Sequence, residues 1–224
     1  MIREFATRDA AMNAAEQRMA EALNAGITAR GHAIAALSGG STPGPAYERL
    51  AAAALDWSKI TFALVDERFV PPSDPASNEG LIRRTLASAF AAGARLLPLY
   101  ADVPTVSVAA DLADPLYQPL TFDIALMGMG EDGHTASWFP GGDAAALDPS
   151  TTRSVMAVTA SAARGAAERL TVTYPLIRRA RSVLLLLTGD AKRAALERGS
   201  RLSLDQAPVG ALFLNRAPEI FWAA

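Results

Sequence analysis

The stretch SVLLLLTGDAKRAALERG, Ser182 to Gly199, decides the fold. Ser182 to Thr188 is an apolar run without polar alternation, which predicts a strand buried on both faces. Gly189 ends it, and Asp190 to Arg198 carries the composition of a helix. A fully apolar strand that runs straight into a helix is the repeating unit of a parallel sheet covered on both sides.

Working outward, the same alternation recurs. Met12, Ala15, Met19, Ala22 and Leu23 stand at helical spacing and predict an amphipathic first helix. Ala33 to Leu37 and Ile60 to Val65 predict buried strands, and Pro45 to Leu55 a helix, with Pro43 and Gly44 near its start. Asn78 to Phe90 predicts a helix with Asn78 as its N-cap. Leu96 to Leu99, Phe122 to Met127, Arg153 to Val158 and Leu170 to Thr173 predict further strands, and Tyr174 to Ala180 a helix. Glu219 to Trp222 reads as an added edge strand. The expectation is one α/β domain over residues 1–224, a mostly parallel sheet with helices on both faces.

Composition narrows the function. The 224 residues are 50% hydrophobic, enough for a large core, and the formal net charge is -2, so no global basic excess draws nucleic acid. There is no cysteine, which rules out disulfides, thiol nucleophiles and thiolate metal sites. Only His32 and His134 are present, which rules out metal sites built on several imidazoles. The first residues are interrupted by charge, and the longest aliphatic block, Val183 to Leu187, is too short to cross a bilayer. A cytoplasmic protein without membrane contact is expected.

Four polar clusters follow predicted strands, where open parallel sheets bind ligands. Ser38-Gly39-Gly40-Ser41-Thr42-Pro43 suits a phosphate cradle, or simply a tight turn of small residues. It is neither a Walker A loop nor a dinucleotide fingerprint. In Asp66-Glu67-Arg68, the guanidinium can hold a phosphate or carboxylate in a fork, or the group is a surface ion pair. In Gly128-Met129-Gly130-Glu131-Asp132-Gly133-His134, a histidine on a glycine-rich loop is not held by core packing. It suits general acid–base work, with Asp132 to orient it. His32, at a helix–strand junction, reads as structural. Arg169 and Lys192 add positive charge that a phosphate would use, though a solvated surface is the usual place for such residues.

Taken in order, SGGSTP (Ser38 to Pro43), DERFVP (Asp66 to Pro71), Asn78, GMGEDGHTASWFPG (Gly128 to Gly141), RLT (Arg169 to Thr171) and GDAK (Gly189 to Lys192) resemble the 6-phosphogluconolactonase family. The wider group includes glucosamine-6-phosphate deaminase and resembles ribose-5-phosphate isomerase in fold. Deaminase-like members carry a glutamate before the proline that follows the glycine-histidine segment; here Phe139 precedes Pro140. Trp138 stands where a smaller apolar residue is common, and Glu168 where proline is frequent.

The resemblance implies hydrolysis of a phosphosugar lactone by a monomer without metal or organic cofactor. His134 would be the general base, Asp132 its orienter, and Arg68 with the amides of Gly128 to Gly130 the oxyanion stabilisers. Gly39, Gly40, Ser41, Thr42, Asp66, Gly130, Arg169 and Lys192 would bind the substrate and its phosphate. A deaminase or isomerase, betrayed by ammonia or a ketose, and a non-catalytic phosphosugar sensor are the competing readings. A serine hydrolase is disfavoured, because no G-x-S-x-G elbow is present.

Overall fold

The computed structural model describes residues 1–142, 144–160, 167–199 and 201–224. In chain order the elements are β1 (Ile2–Phe5), α1 (Arg8–Arg30), β2 (Ala33–Leu37), α2 (Gly44–Leu50), β3 (Ile60–Leu64), β4 (Asp66–Arg68), α3 (Asn78–Thr85), α4 (Ala87–Ala91), β5 (Arg95–Leu97) and α5 (Val106–Tyr117). They continue with β6 (Ile124–Met127), β7 (Val155–Thr159), β8 (Glu168–Val172), α6 (Tyr174–Arg178), β9 (Val183–Thr188), α7 (Asp190–Gly199) and β10 (Glu219–Ala223).

Seven strands form one parallel sheet in the order β1-β10-β9-β6-β2-β3-β5. Every residue of β6 is buried, as are the four central leucines of β9. Successive side chains point to opposite faces, so burial of all of them means that both faces are covered. After β2 the chain adds β3 and β5 on one side, then returns to place β6 on the other. The C-terminal ends of β2 and β6 therefore flank a topological switch point, where such sheets open a crevice.

β4, β8 and β7 form a separate antiparallel sheet. It grows directly out of the large one. The Val65 amide still bonds the Leu37 carbonyl at 3.0 Å, while the Val65 carbonyl accepts from the Val172 amide at 2.9 Å. The chain thus turns off the carboxyl edge of β3 and lays Asp66 to Arg68 beside that edge.

Several expectations are corrected. The strands predicted around Arg153 to Val158 and Leu170 to Thr173 exist, but belong to this small antiparallel sheet. The closing strand is not at the edge: β10 lies between β9 and the unforeseen β1. The helix predicted to Leu55 stops at Leu50. The helix predicted over Asn78 to Phe90 breaks at Leu86 into α3 and α4. Its N-cap is Ser77, whose hydroxyl accepts from the Gly80 amide at 3.0 Å. No helix among the described residues is long and apolar enough to cross a membrane.

At the opposite edge of the sheet α1 packs so tightly that Gly26 has no room for a side chain. A Cβ there would lie 2.8 Å from both Ala33 Cβ and Asp123 Oδ2. Asp123 is buried, accepts from the Ile34 amide at 2.9 Å, and pairs with Arg30 and Arg181. Gly26→Ala should therefore lower stability by about 1–3 kcal/mol through overpacking, despite alanine's better helix propensity. In thermal denaturation this is a Tm drop of roughly 2–10 °C. An unchanged or raised Tm would show that α1 can back away from the sheet.

Candidate active site

The segments that leave β2, β3, β6 and β9 at the carboxyl edge enclose a cleft of about 230 Å³. Ser38 to Pro43 form one wall and Gly128 to Gly130 the other, over a floor of Leu126, Met127 and Leu186. Asp66, Arg68, Asn78, His134, Arg169 and Lys192 complete the lining. The sequence-predicted residues thus converge here, except that Asp132 is not part of the lining and holds His134 instead.

His134 is built from its loop. Its carbonyl accepts from the Gly130 amide at 2.9 Å, and its own amide donates to Asp132 Oδ1 at 3.1 Å. The same carboxylate oxygen lies 2.6 Å from His134 Nδ1. An acceptor on Nδ1 places the proton there and leaves Nε2 as the basic nitrogen in the neutral ring. Phe139 packs on the imidazole with centroids 4.8 Å apart, which limits its rotation. The loop is pinned further by Thr135 Oγ1, which donates to the Gly128 carbonyl at 2.7 Å. Ala136, beside it in the cleft wall, has a φ of 48°, a conformation costly for a residue with a Cβ. Such strain persists where the surroundings over-determine the backbone.

Gly130 contributes an absence. A Cβ on it would lie 2.3 Å from His134 Cε1 and Nδ1, and 2.5 Å from Asp132 Oδ1. Its amide, expected to be available to an oxyanion, is spent on the His134 carbonyl.

The charged side of the cleft comes from the small sheet. Arg68 and Arg169 are direct cross-strand partners in β4 and β8. Like charges in that relation repel and call for an anion. Burial and the neighbouring Arg68 both push the Arg169 pKa down, opposed by Asp66 and Glu67. Arg68 Nη1 donates to the Ala76 carbonyl, while its buried Nε has no partner among the described residues. Lys192, in the first turn of α7, has its pKa lowered by burial, with Glu131 pulling the other way. It makes no ion pair among the described residues.

Asp66 is clamped from two sides. Ser137 Oγ donates to its Oδ2 at 2.7 Å, and Asn78 Nδ2 donates to its Oδ1 at 3.1 Å and to its carbonyl at 2.9 Å. Asn78 is seated against Gly39, where a Cβ would come within 1.8 Å of Asn78 Oδ1. Glu67 points the other way and anchors α3. It accepts from the amides of Arg68, Asn78 and Glu79 and from Ser77 Oγ. Burial lifts its carboxyl to about 7, against the pull of these donors.

Sequence reasoning gave Ser137 no role of its own, took Ser38 only as part of the phosphate cradle, and read Asn78 as a helix start and a residue of the family pattern without a contact. Ser38 lines the cleft, and its buried hydroxyl has no partner among the described residues. No local pattern gives the roles of Ser137 and Asn78, because each acts on Asp66, which lies on another segment. Among the described residues no cluster of His, Asp and Glu could hold a metal ion.

A parallel α/β sheet with a basic, histidine-bearing cleft at its switch point defines an enzyme for small anionic molecules. The model of the glucosamine-6-phosphate isomerases/6-phosphogluconolactonase family matches residues 6–222. The chain belongs to that family. A 6-phosphogluconolactonase of Rhizobium meliloti (strain 1021) is 43% identical over 212 residues, covering 90% of this chain and 89% of its own. One from Caulobacter vibrioides is 39% identical over 199 residues, covering 88% and 86%. The crystal structure of a 6-phosphogluconolactonase from Shewanella baltica matches with a TM-score of 0.93 at 30% identity, over 100% of this chain and 97% of that one.

Proposed function

We propose that the chain hydrolyses 6-phospho-D-glucono-1,5-lactone to 6-phosphogluconate without metal or organic cofactor. The observation that carries this reading is the convergence of three cations, Arg68, Arg169 and Lys192, with an Asp132-held His134 around one cleft. The relatives' shared name points to the same reaction.

In this reading His134 Nε2 takes a proton from water, and the hydroxide adds to the lactone carbonyl carbon. The carbonyl oxygen becomes an oxyanion, stabilised by Arg68. Collapse breaks the bond from that carbon to the ring oxygen, and the imidazolium returns its proton to the leaving oxygen. One histidine serves both steps, because the second begins only after the first has charged it. Arg169 and Lys192 hold the phosphate with Ser41, Thr42 and the glycine backbone at Gly39 and Gly40. Asp66, fixed by Asn78 and Ser137, accepts from sugar hydroxyls. The Ser38 hydroxyl and Arg68 Nε, buried in the cleft without partners among the described residues, fit groups that bond a ligand, since buried polar groups otherwise find partners. The reading takes the chain as a monomer of the cytoplasm.

The test is hydrolysis of freshly generated lactone with the spontaneous rate subtracted. Lys192→Ala should raise KM about tenfold or more by removing a charged contact to phosphate, with kcat nearly kept. A sensor would bind the product and show no turnover. A deaminase would release ammonia from glucosamine 6-phosphate, but Phe139, not a carboxylate, packs on the imidazole and 5.7 Å from the Arg169 guanidinium.

A further inference from the structure

We propose that the chain carries a second ligand site, a basic groove at the amino-terminal edge of the large sheet that binds a nucleotide bearing two or more phosphates. The groove has a volume of about 390 Å³, larger than the catalytic cleft, and it is formed where the chain leaves α6, enters β9 and enters β10. Four exposed arginines line it: Arg178, Arg179, Arg181 and Arg216. No aspartate or glutamate among the described residues does.

The partners of these arginines are mostly neutral. Arg179 Nη2 donates to the Gln118 carbonyl at 3.0 Å, and Arg216 Nη1 to the Arg181 carbonyl at 2.8 Å. The Arg178 guanidinium lies 5.9 Å over the Tyr174 ring. Among the described residues only Arg181 of the four reaches a carboxylate, Asp123 at 3.4 Å, which Arg30 already pairs and the Ile34 amide already bonds. Among the described residues Arg178, Arg179 and Arg216 therefore pair with no carboxylate, and Arg181 shares its one carboxylate with Arg30, in a chain whose net charge is -2. Packing like charges around a concavity costs free energy, and a multiply charged anion removes that cost.

The chemistry of the walls selects the anion. Guanidinium forks match phosphate oxygens in bidentate fashion. One phosphate does not neutralise the set, so two or more are required. The rest of the lining is mixed, with Ile177, Val183 and Leu212 beside Ser182 and Asn215, which suits a base that has both an apolar face and polar edges. A concavity of this size suits a small molecule better than an extended nucleic-acid backbone. Because the catalytic cleft is at the carboxyl edge of the same sheet, both sites can be filled at once.

The test is calorimetric titration of the intact chain with ATP at about 0.15 M salt, where weak surface attraction is screened. ATP should bind more tightly than AMP, and saturating 6-phosphogluconate should not displace it. The Arg178→Ala/Arg216→Ala double variant should weaken ATP about tenfold or more, because two charged contacts are lost. Its lactone hydrolysis without ATP should be unchanged, which also shows that it folds. Arg179→Ala, measured alone, should weaken ATP in the same direction. Absence of binding, binding equal in the arginine variants, or binding lost in Lys192→Ala instead would overturn the proposal. So would tighter binding of a single-stranded oligoribonucleotide than of ATP. The binding outcomes do not depend on whether the other cleft hydrolyses the lactone, and an unchanged Tm shows that the double variant folds if it does not.

Discussion

His134→Ala is expected to lower kcat for lactone hydrolysis by about 10²–10⁴-fold, the usual cost of removing a general base. The KM should change little, since in the proposed reading Arg169 and Lys192 hold the phosphate. The Tm should also stay close to that of the parent chain. The imidazole sits on a loop, is one-third exposed, and its main polar partner Asp132 is exposed as well. Asp132→Asn should fall between the two, because an amide can still contact Nδ1 but no longer favours the charged imidazolium that forms during attack. Stopped-flow measurement with the uncatalysed rate subtracted decides the matter. A fully active His134→Ala enzyme would leave Arg68 and the bound water to account for the rate, and would remove the histidine from the mechanism.

Two local signals in the sequence mark His134: its glycine-rich setting, and its position just after an apolar strand. Those signals are short in range, and so are the ones that placed β2, β3, β6, β9 and α7. What stayed hidden is long in range. β1 is four residues with charge at two of them, and only its register against β10 makes it a strand. β4 is three residues long, and its pairing with β8 spans about a hundred positions of chain. Without that pairing nothing in the sequence brings Arg68 opposite Arg169. α5 escaped because Pro115 and alternating small residues blur its periodicity, although the exposed Val108, Leu112 and Leu116 recur every four residues. Asn78 is the sharpest case. Its neighbours mark it as a helix start, yet its side chain is committed to Asp66 and to the space above Gly39, both on other segments.

The second large effect is expected at a residue with no side chain. Gly130→Ala places a methyl 2.3 Å from two atoms of the His134 ring and 2.5 Å from Asp132 Oδ1. Real contacts of that length do not persist, so something must move. The Gly130 backbone is held by its bonds to the His134 carbonyl and the Gly133 amide, whereas the imidazole and carboxylate are side chains with solvent beside them. The side chains yield, the 2.6 Å contact between them opens, and Nε2 leaves its place over the cleft. Misplacement of a reacting group by about 1 Å can cost on the order of 10²-fold. Gly130→Ala should accordingly lower kcat about 10²-fold with the Tm nearly unchanged. If the methyl acts only by displacing the histidine, then adding it to a chain that already lacks the imidazole should do nothing more. The Gly130→Ala/His134→Ala double variant should therefore match His134→Ala alone, as expected of residues that work as one unit. A further large loss in the double variant would mean that the methyl blocks the substrate itself, and Gly130 would then act as part of the cleft wall and not through the seat of the base.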